Sequence, residues 1–190
     1  MVEEKQISSI IEFISNRFSD ENDKEIFRSV ILEDFVKMPY IVEHGWNVCG
    51  DYIDLLEEKI AENPPDYDWI VLLYKEIRYK LTFFLKKDSQ YRVSIEEGLD
   101  IELFEQMLRN NAFKGVEFYN LVNFIFEKCL ELGSPGRDND VKEKREEIFT
   151  LMKNNGTFSQ LVPLFIKNAN ICADWIHEDL KNVKEYLSKK

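Results

Sequence analysis

The run VEFYNLVNFIFEKCLEL, Val116 to Leu132, decides the fold class. Phe118, Leu121, Val122, Ile125, Cys129 and Leu132 form one stripe at helical spacing, and Tyr119, Phe126 and Leu130 lie beside it. That period belongs to an α-helix, not a strand. Asn120, Asn123, Glu127 and Glu131 leave a narrow polar edge, so this segment is expected to be the central helix of a bundle. Lys114-Gly115 precede it, Gly133 is a natural C′ residue, and Ser134-Pro135-Gly136 make a tight turn after it.

The same period continues on both sides. Upstream, Asp100 is placed to cap a helix carrying Ile101, Phe104, Met107 and Leu108, and a short piece from about Tyr91 to Glu97 is broken by Gly98. Before that, Ile70, Leu73, Tyr74, Ile77, Leu81, Phe84 and Leu85 form an inner stripe capped by Asp66 or Asp68 and closed by Lys86-Lys87. Trp69, Val71 and Leu72 fall outside that stripe, which predicts burial on more than one side. Asn63-Pro64-Pro65-Asp66 separates it from a helix over about Trp46–Glu62. Two further amphipathic patterns, Ile7 to Phe18 and Phe27 to Phe35, predict a helical pair over 1–40 that packs on the rest. Downstream, Asp138 or Asp140 starts a helix, with capping-box spacing from Asp140 to Glu143, and Asn154-Asn155-Gly156 ends it. A last helix runs from about Thr157 to Lys189, with Pro163 in its first turn or at a kink. The expected architecture is all-α: about eight helices, no strand, and a single domain over 1–190 around the 116–132 helix.

Composition excludes several functions. Lys plus Arg is 25 against 36 for Asp plus Glu, a net charge of −11. Phosphate backbones and anionic membrane surfaces repel such a chain, so nucleic acid is not an expected partner. The opening MVEEKQISS has no apolar core, so no secretory signal is expected. The longest uncharged stretch, Asn154 to Ile166, is too short to span a bilayer, so no membrane insertion is expected. Three cysteines, Cys49, Cys129 and Cys172, lie far apart and fit a reducing cytoplasm as small hydrophobes.

Catalytic patterns are missing. No phosphate-loop, dinucleotide or nucleophile-elbow motif occurs, and His44 and His177 stand apart, so neither a metal nor a cofactor is expected. His44–Cys49 and Cys172–His177 are five apart, which is poor helical register for a nucleophile pair. Glu96, Glu97, Asp100, Glu102 and Glu105 cluster at a helix start, where the dipole favours carboxylates without any catalytic role. In Ser134-Pro135-Gly136-Arg137-Asp138, Asp138 suits the backbone N–H groups of a new helix, and the Arg137 fork suits carboxylates or orphan carbonyls. The simplest reading is a pinned corner; the functional one is an anion or partner site.

Three segments, in order, resemble the T-complex protein 11 family. DYIDLLEEKIAENPPDYDWIVLLYKEIRYKLTFFL (Asp51–Leu85) is similar to the family's Pro-Pro-Asp-Tyr break followed by a Leu-rich helix. SIEEGLDIELFEQMLRNNAFKGVEFYNLVNFIF (Ser94–Phe126) is similar to its Ile-x-Glu-x-Leu-Asp segment, and SPGRDNDV (Ser134–Val141) to its Pro-x-Arg-Asp corner. The matching positions are Pro64, Pro65, Asp66 and Tyr67; Glu76, Ile77 and Arg78; Glu97, Leu99 and Asp100; and Pro135, Arg137 and Asp138. The chain departs at Gly133-Ser134, where the family tends to have Cys-Ala, and at Asn155, where it tends to have Asp. The family-like region is expected over 51–180. The resemblance implies an all-helical, non-enzymatic protein tied to cyclic-AMP and protein kinase A signalling. Arg78, Arg137 and Asp138 are its candidate partner-binding residues.

Three functional expectations follow. The first is a cytoplasmic protein-interaction module of this type, with protein kinase A pathway components as partners. The second is a helical bundle whose groove takes a partner's amphipathic helix, as apoptosis regulators do. The third is an enzyme using Glu97 or Asp100 as a dry, pKa-shifted acid in a concave pocket.

Overall fold

The computed structural model of the chain describes residues 53–188. The helices expected before residue 53, with Cys49 and His44, lie outside the described residues. Within them the chain is all-α: seven α-helices, one 3-10 turn and no strand among the described residues. Residues Ile53–Leu180 form one compact unit.

Helix α1 is Ile53–Ala61, and it buries Leu56 and Ile60. The Asn63–Pro64 peptide is cis, and the Asp66 N–H bonds back to the Lys59 carbonyl. Helix α2 is Asp68–Thr82. Asp66 rather than Asp68 serves its start, accepting from the Asp68 N–H at 3.0 Å. Every residue from Trp69 to Tyr74 is buried, as the doubled apolar pattern predicts, and eleven of the 15 residues of α2 are buried. It stops at Thr82, short of Lys86-Lys87. The Thr82 hydroxyl donates to the Arg78 carbonyl at 2.8 Å, which competes with the helical ladder. Arg92 then takes the Leu85 carbonyl at 3.1 Å.

Helix α3 is Gln90–Gly98, capped by Ser89, and α4 is Ile101–Arg109, capped by Asp100 as expected. Gly98 does not break α3 from outside; it is its last residue. A Cβ there would lie 2.2 Å from the Phe124 ring, so glycine permits the close approach of α3 to the next long helix. Both α3 and α4 pack on α2. Arg109 ties the end of α4 to Asp68 at the start of α2, at 2.8 Å. Asn111, at φ 50°, turns the chain out of α4.

Helix α5, Gly115–Leu132, buries Phe118, Val122, Ile125, Phe126 and Cys129. It packs against α2 on one side and α6 on the other. Gly133 ends it at φ −81°, not in the left-handed region; a Cβ would sit 2.8 Å from the Cys129 carbonyl oxygen, so close approach is what requires glycine. The 3-10 turn Pro135–Arg137 runs directly into α6, Asp138–Lys153. The helix therefore starts before the Asp140–Glu143 capping box, and Asp138 and Asp140 both fall in its first turn, where the dipole favours them. Asn155, at φ 59°, is the left-handed residue that closes α6.

Helix α7 is Phe158–Ser188. Gln160 accepts from the Thr157 N–H at 3.0 Å, half of a capping box. Pro163 lies inside the helix and is buried. Val162, Phe165, Ile166, Ala169, Cys172, Ala173 and Ile176 are buried, and so are Asn168, Asn170 and His177. Asn168 satisfies its amide on α6, donating to the Lys144 carbonyl at 2.9 Å and to Glu147 at 2.8 Å.

Candidate functional site

Helix α4 carries more apolar residues than one face can bury. Phe104 and Leu108 go inward, and Phe104 stacks on Tyr74 of α2 with ring centroids 3.7 Å apart. Leu103 is left 54% exposed. Leu103 and Met107, one turn apart, form one wall of an open groove of about 270 Å³. Phe104, Phe113 and Leu121 add apolar surface, and Glu117 and Asn120 line it from α5. Phe113 packs edge-on to both Phe104 and Phe118.

The groove carries the three carboxylates Glu97, Asp100 and Glu117, and among the described residues no Lys or Arg lines it. Each is exposed. Asp100 is also committed to the Leu103 N–H, at 3.0 Å. Two other members of the acidic cluster have local partners: Glu96 pairs with Arg92 at 2.8 Å and Glu105 with Arg109 at 2.7 Å. The pocket expected of the enzymatic reading is present, but Glu97 and Asp100 stand in water at its rim rather than in a dry interior.

A second groove, of about 460 Å³, lies on the other flank of α5, where Tyr119 stacks on Phe149 at 4.7 Å. Arg145, Glu146 and Lys153 give it charges of both signs. At about 100° per residue, Glu117, Asn120 and Leu121 face one groove, while Tyr119 and Asn123 face the other. Val116, 68% exposed, falls between them.

The three candidate partner-binding residues are not brought to one face by any contact. Arg78, half-buried on α2, donates to the Leu99 carbonyl at 3.4 Å and so holds the α3–α4 junction behind the groove wall. Arg137 reaches α7: its Nε bonds Asp179 at 3.1 Å, its Nη2 bonds Glu178 at 2.6 Å, and its guanidinium lies 5.4 Å from the Trp175 ring centroid. Asp138 is the first residue of α6, and no side-chain cap bond serves that helix start from Arg137. The double variant Arg78→Glu/Arg137→Glu is therefore expected to keep its helicity but lose about 2 kcal/mol, or about 4–8 °C in Tm for a chain of this size. Circular dichroism melting checks this; an unchanged Tm would free both residues for a purely surface role.

Cys129 and Cys172 are buried thiols. Burial pushes Cys172 up to about 12 and Cys129 well above its ordinary value, so both are thiols at neutral pH. Among the described residues no group of three or more His, Cys, Asp or Glu is placed to hold a metal ion, and no helix is long and apolar enough to cross a membrane. The groove residues Leu103, Phe113, Glu117 and Asn120 went unnoticed in the sequence as a site. The one available signal was Leu103, an apolar residue off the inward stripe of its own helix.

The T-complex protein 11 profile matches residues 48–168. The T-complex protein 11 homolog of Homo sapiens is 31% identical over 97 residues, which is 50% of this chain and 19% of that protein. The homolog of Rattus norvegicus is 32% identical over 114 residues, 58% of this chain and 19% of that protein. The chain thus spans about a fifth of the length of these curated relatives. No solved structure matches it. The profile covers α1 to α6 and the first third of α7, including both grooves and Arg137, and the chain belongs to the T-complex protein 11 family.

Proposed function

We propose that this chain is a non-enzymatic, cytoplasmic protein-interaction module that acts in cyclic-AMP and protein kinase A signalling. The observation that carries the reading is the apolar groove between α4 and α5, with Leu103 exposed beside it. A large apolar side chain held out on a rigid helix next to a concave apolar wall is the arrangement of a binding anchor. Family membership supports the signalling part. The solvated Glu97 and Asp100 weigh against acid–base chemistry, since an exposed carboxylate lacks the dry surroundings that tune a catalytic acid.

The groove also favours the related reading of a bundle that seats a partner's amphipathic helix, because its walls come from two helices. Affinity capture from cytosol, with the folded chain as bait, is the test. Protein kinase A subunits or their anchoring partners are expected in the bound fraction. A bound fraction without any kinase-pathway protein would remove the signalling assignment.

A further inference from the structure

We infer that the α4–α5 groove takes one face of a Lys/Arg-rich amphipathic helix from a protein partner. The inference rests on reading the chain as an interaction module and names the site and the chemistry of its occupant.

The apolar part of the argument is Leu103, Met107, Phe113 and Leu121, which offer a hydrophobic partner face something to seat against. Anchors at helical spacing on a partner would meet the i, i+4 pair Leu103 and Met107 side by side. The polar part is the rim. Glu97, Asp100 and Glu117 are all anionic, and among the described residues no cation lines the groove to compensate them. Asp100 and Glu117 lie at helix N-termini, where the dipole steadies them. Glu97 lies in the last turn of α3, where the dipole opposes it and no basic residue accompanies it. A carboxylate held in that unfavourable position gains most from a cation brought from outside.

Other occupants fit less well. A second copy of this chain would press two acidic rims together, on molecules that each carry a net charge of −11. An anionic lipid surface or a nucleic acid is repelled for the same reason. The flanking groove with Arg145, Glu146 and Lys153 has no single sign and selects no partner charge.

The probe is a fluorescein-labelled Leu/Lys amphipathic peptide of about 18 residues, or five helical turns, followed by anisotropy at about 0.15 M salt. Two controls carry the same label: a Leu/Lys peptide of equal composition with its helical spacing scrambled, and a Leu/Glu peptide with the spacing kept. The full chain is expected to bind the first peptide at least about tenfold more tightly than either control. Leu103→Asp adds negative charge, which alone would strengthen binding of a cationic peptide. It is nevertheless expected to weaken binding at least about tenfold, because the anchor is lost. Glu97→Lys/Glu117→Lys is expected to weaken it similarly and to flatten its salt dependence. All these side chains are exposed, and circular dichroism confirms that the variants fold.

Equal binding of the scrambled peptide, or full affinity in Leu103→Asp, would overturn the inference and leave only diffuse attraction to an acidic protein. Sedimentation showing a wild-type dimer that Leu103→Asp dissociates would overturn it in favour of a second copy. Cytosolic partners that persist with Leu103→Asp as bait would overturn the groove assignment while the module reading stands. Tight, spacing-dependent peptide binding with no kinase-pathway protein captured would uphold the groove and remove the signalling assignment alone.

Discussion

Replacing Lys80 by Met is expected to destabilise the protein by about 3–5 kcal/mol, a large share of the about 5–15 kcal/mol that a domain possesses. Lys80 is fully buried, on α2. Its ammonium lies 2.8 Å from Glu76, which is 2% exposed, and 2.5 Å from Asp174 on α7. It also donates to the Asn170 amide oxygen at 3.3 Å. Methionine matches the length and volume of the lysine stem, so little cavity forms and the effect isolates the charge. What remains is the Glu76 carboxylate in the interior without the cation it faced. Asp174 is 34% exposed and regains water. Removing both charges, as Glu76→Leu/Lys80→Met, is expected to recover most of the loss, since a buried pair gains little over apolar packing while half of one costs a great deal. Urea unfolding followed by far-ultraviolet circular dichroism compares the three proteins. A single variant within about 1 kcal/mol of wild type would show that this cluster is hydrated in solution. A double variant as unstable as the single would place the weight on the bonds to Asn170 and Asp174 instead.

This cluster also marks where sequence reading stopped. The helices themselves were legible because each repeats apolar residues every three or four positions, and that period survives whatever the tertiary context does. Trp69 to Tyr74 carried even the doubled burial of α2 in their pattern, and Asp100 announced its cap. The Glu76-Ile77-Arg78 motif was visible, but its division of labour was not. Glu76 turns in to Lys80, Ile77 fills the core, and Arg78 reaches across to Leu99. The partner of Arg78 lies 21 residues away, and Asp174, which shares Lys80 with Glu76, lies 94 residues from that lysine; spacing within a helix carries no information about either. Helix α7 shows the same limit. Its apolar stripe was correctly placed, yet Asn168, Asn170 and His177 are buried next to it because α2 and α6 present polar groups there. The groove was half legible: its acidic rim stood out as a cluster, while its apolar wall needed the side-by-side placement of α4 and α5.

His177 gives the second large expectation, a loss of stability on mild acidification. Its ring stacks on Phe83 with centroids 4.5 Å apart, and its Nε2 lies 2.9 Å from the Lys80 carbonyl oxygen. A carbonyl only accepts, so Nε2 carries the proton in the neutral ring and Nδ1 is the atom that must take up the next one. Burial holds the pKa down to about 4 from its ordinary 6.5; the bond to the Lys80 carbonyl, Asp174 and Glu76 oppose that shift, and the Lys80 charge adds to it. The folded state therefore prefers the neutral ring. Its contribution is fully present above about pH 6.5, and it is lost as pH falls toward about 4, where the unfolded chain binds a proton that the folded chain refuses. A difference of this size corresponds to about 3 kcal/mol. Glu131, held below the ordinary carboxylate range by hydrogen bonds from Lys128 and Tyr91, adds loss in the same direction but only at lower pH. The two are separated with His177→Gln, whose amide still donates to the Lys80 carbonyl but does not titrate. Urea unfolding across this range is expected to show a steep fall for wild type between about pH 6.5 and 4.5, and a shallow one for the variant. Equal slopes would mean that water reaches the ring and that α2 and α7 part at this contact before the rest of the unit unfolds.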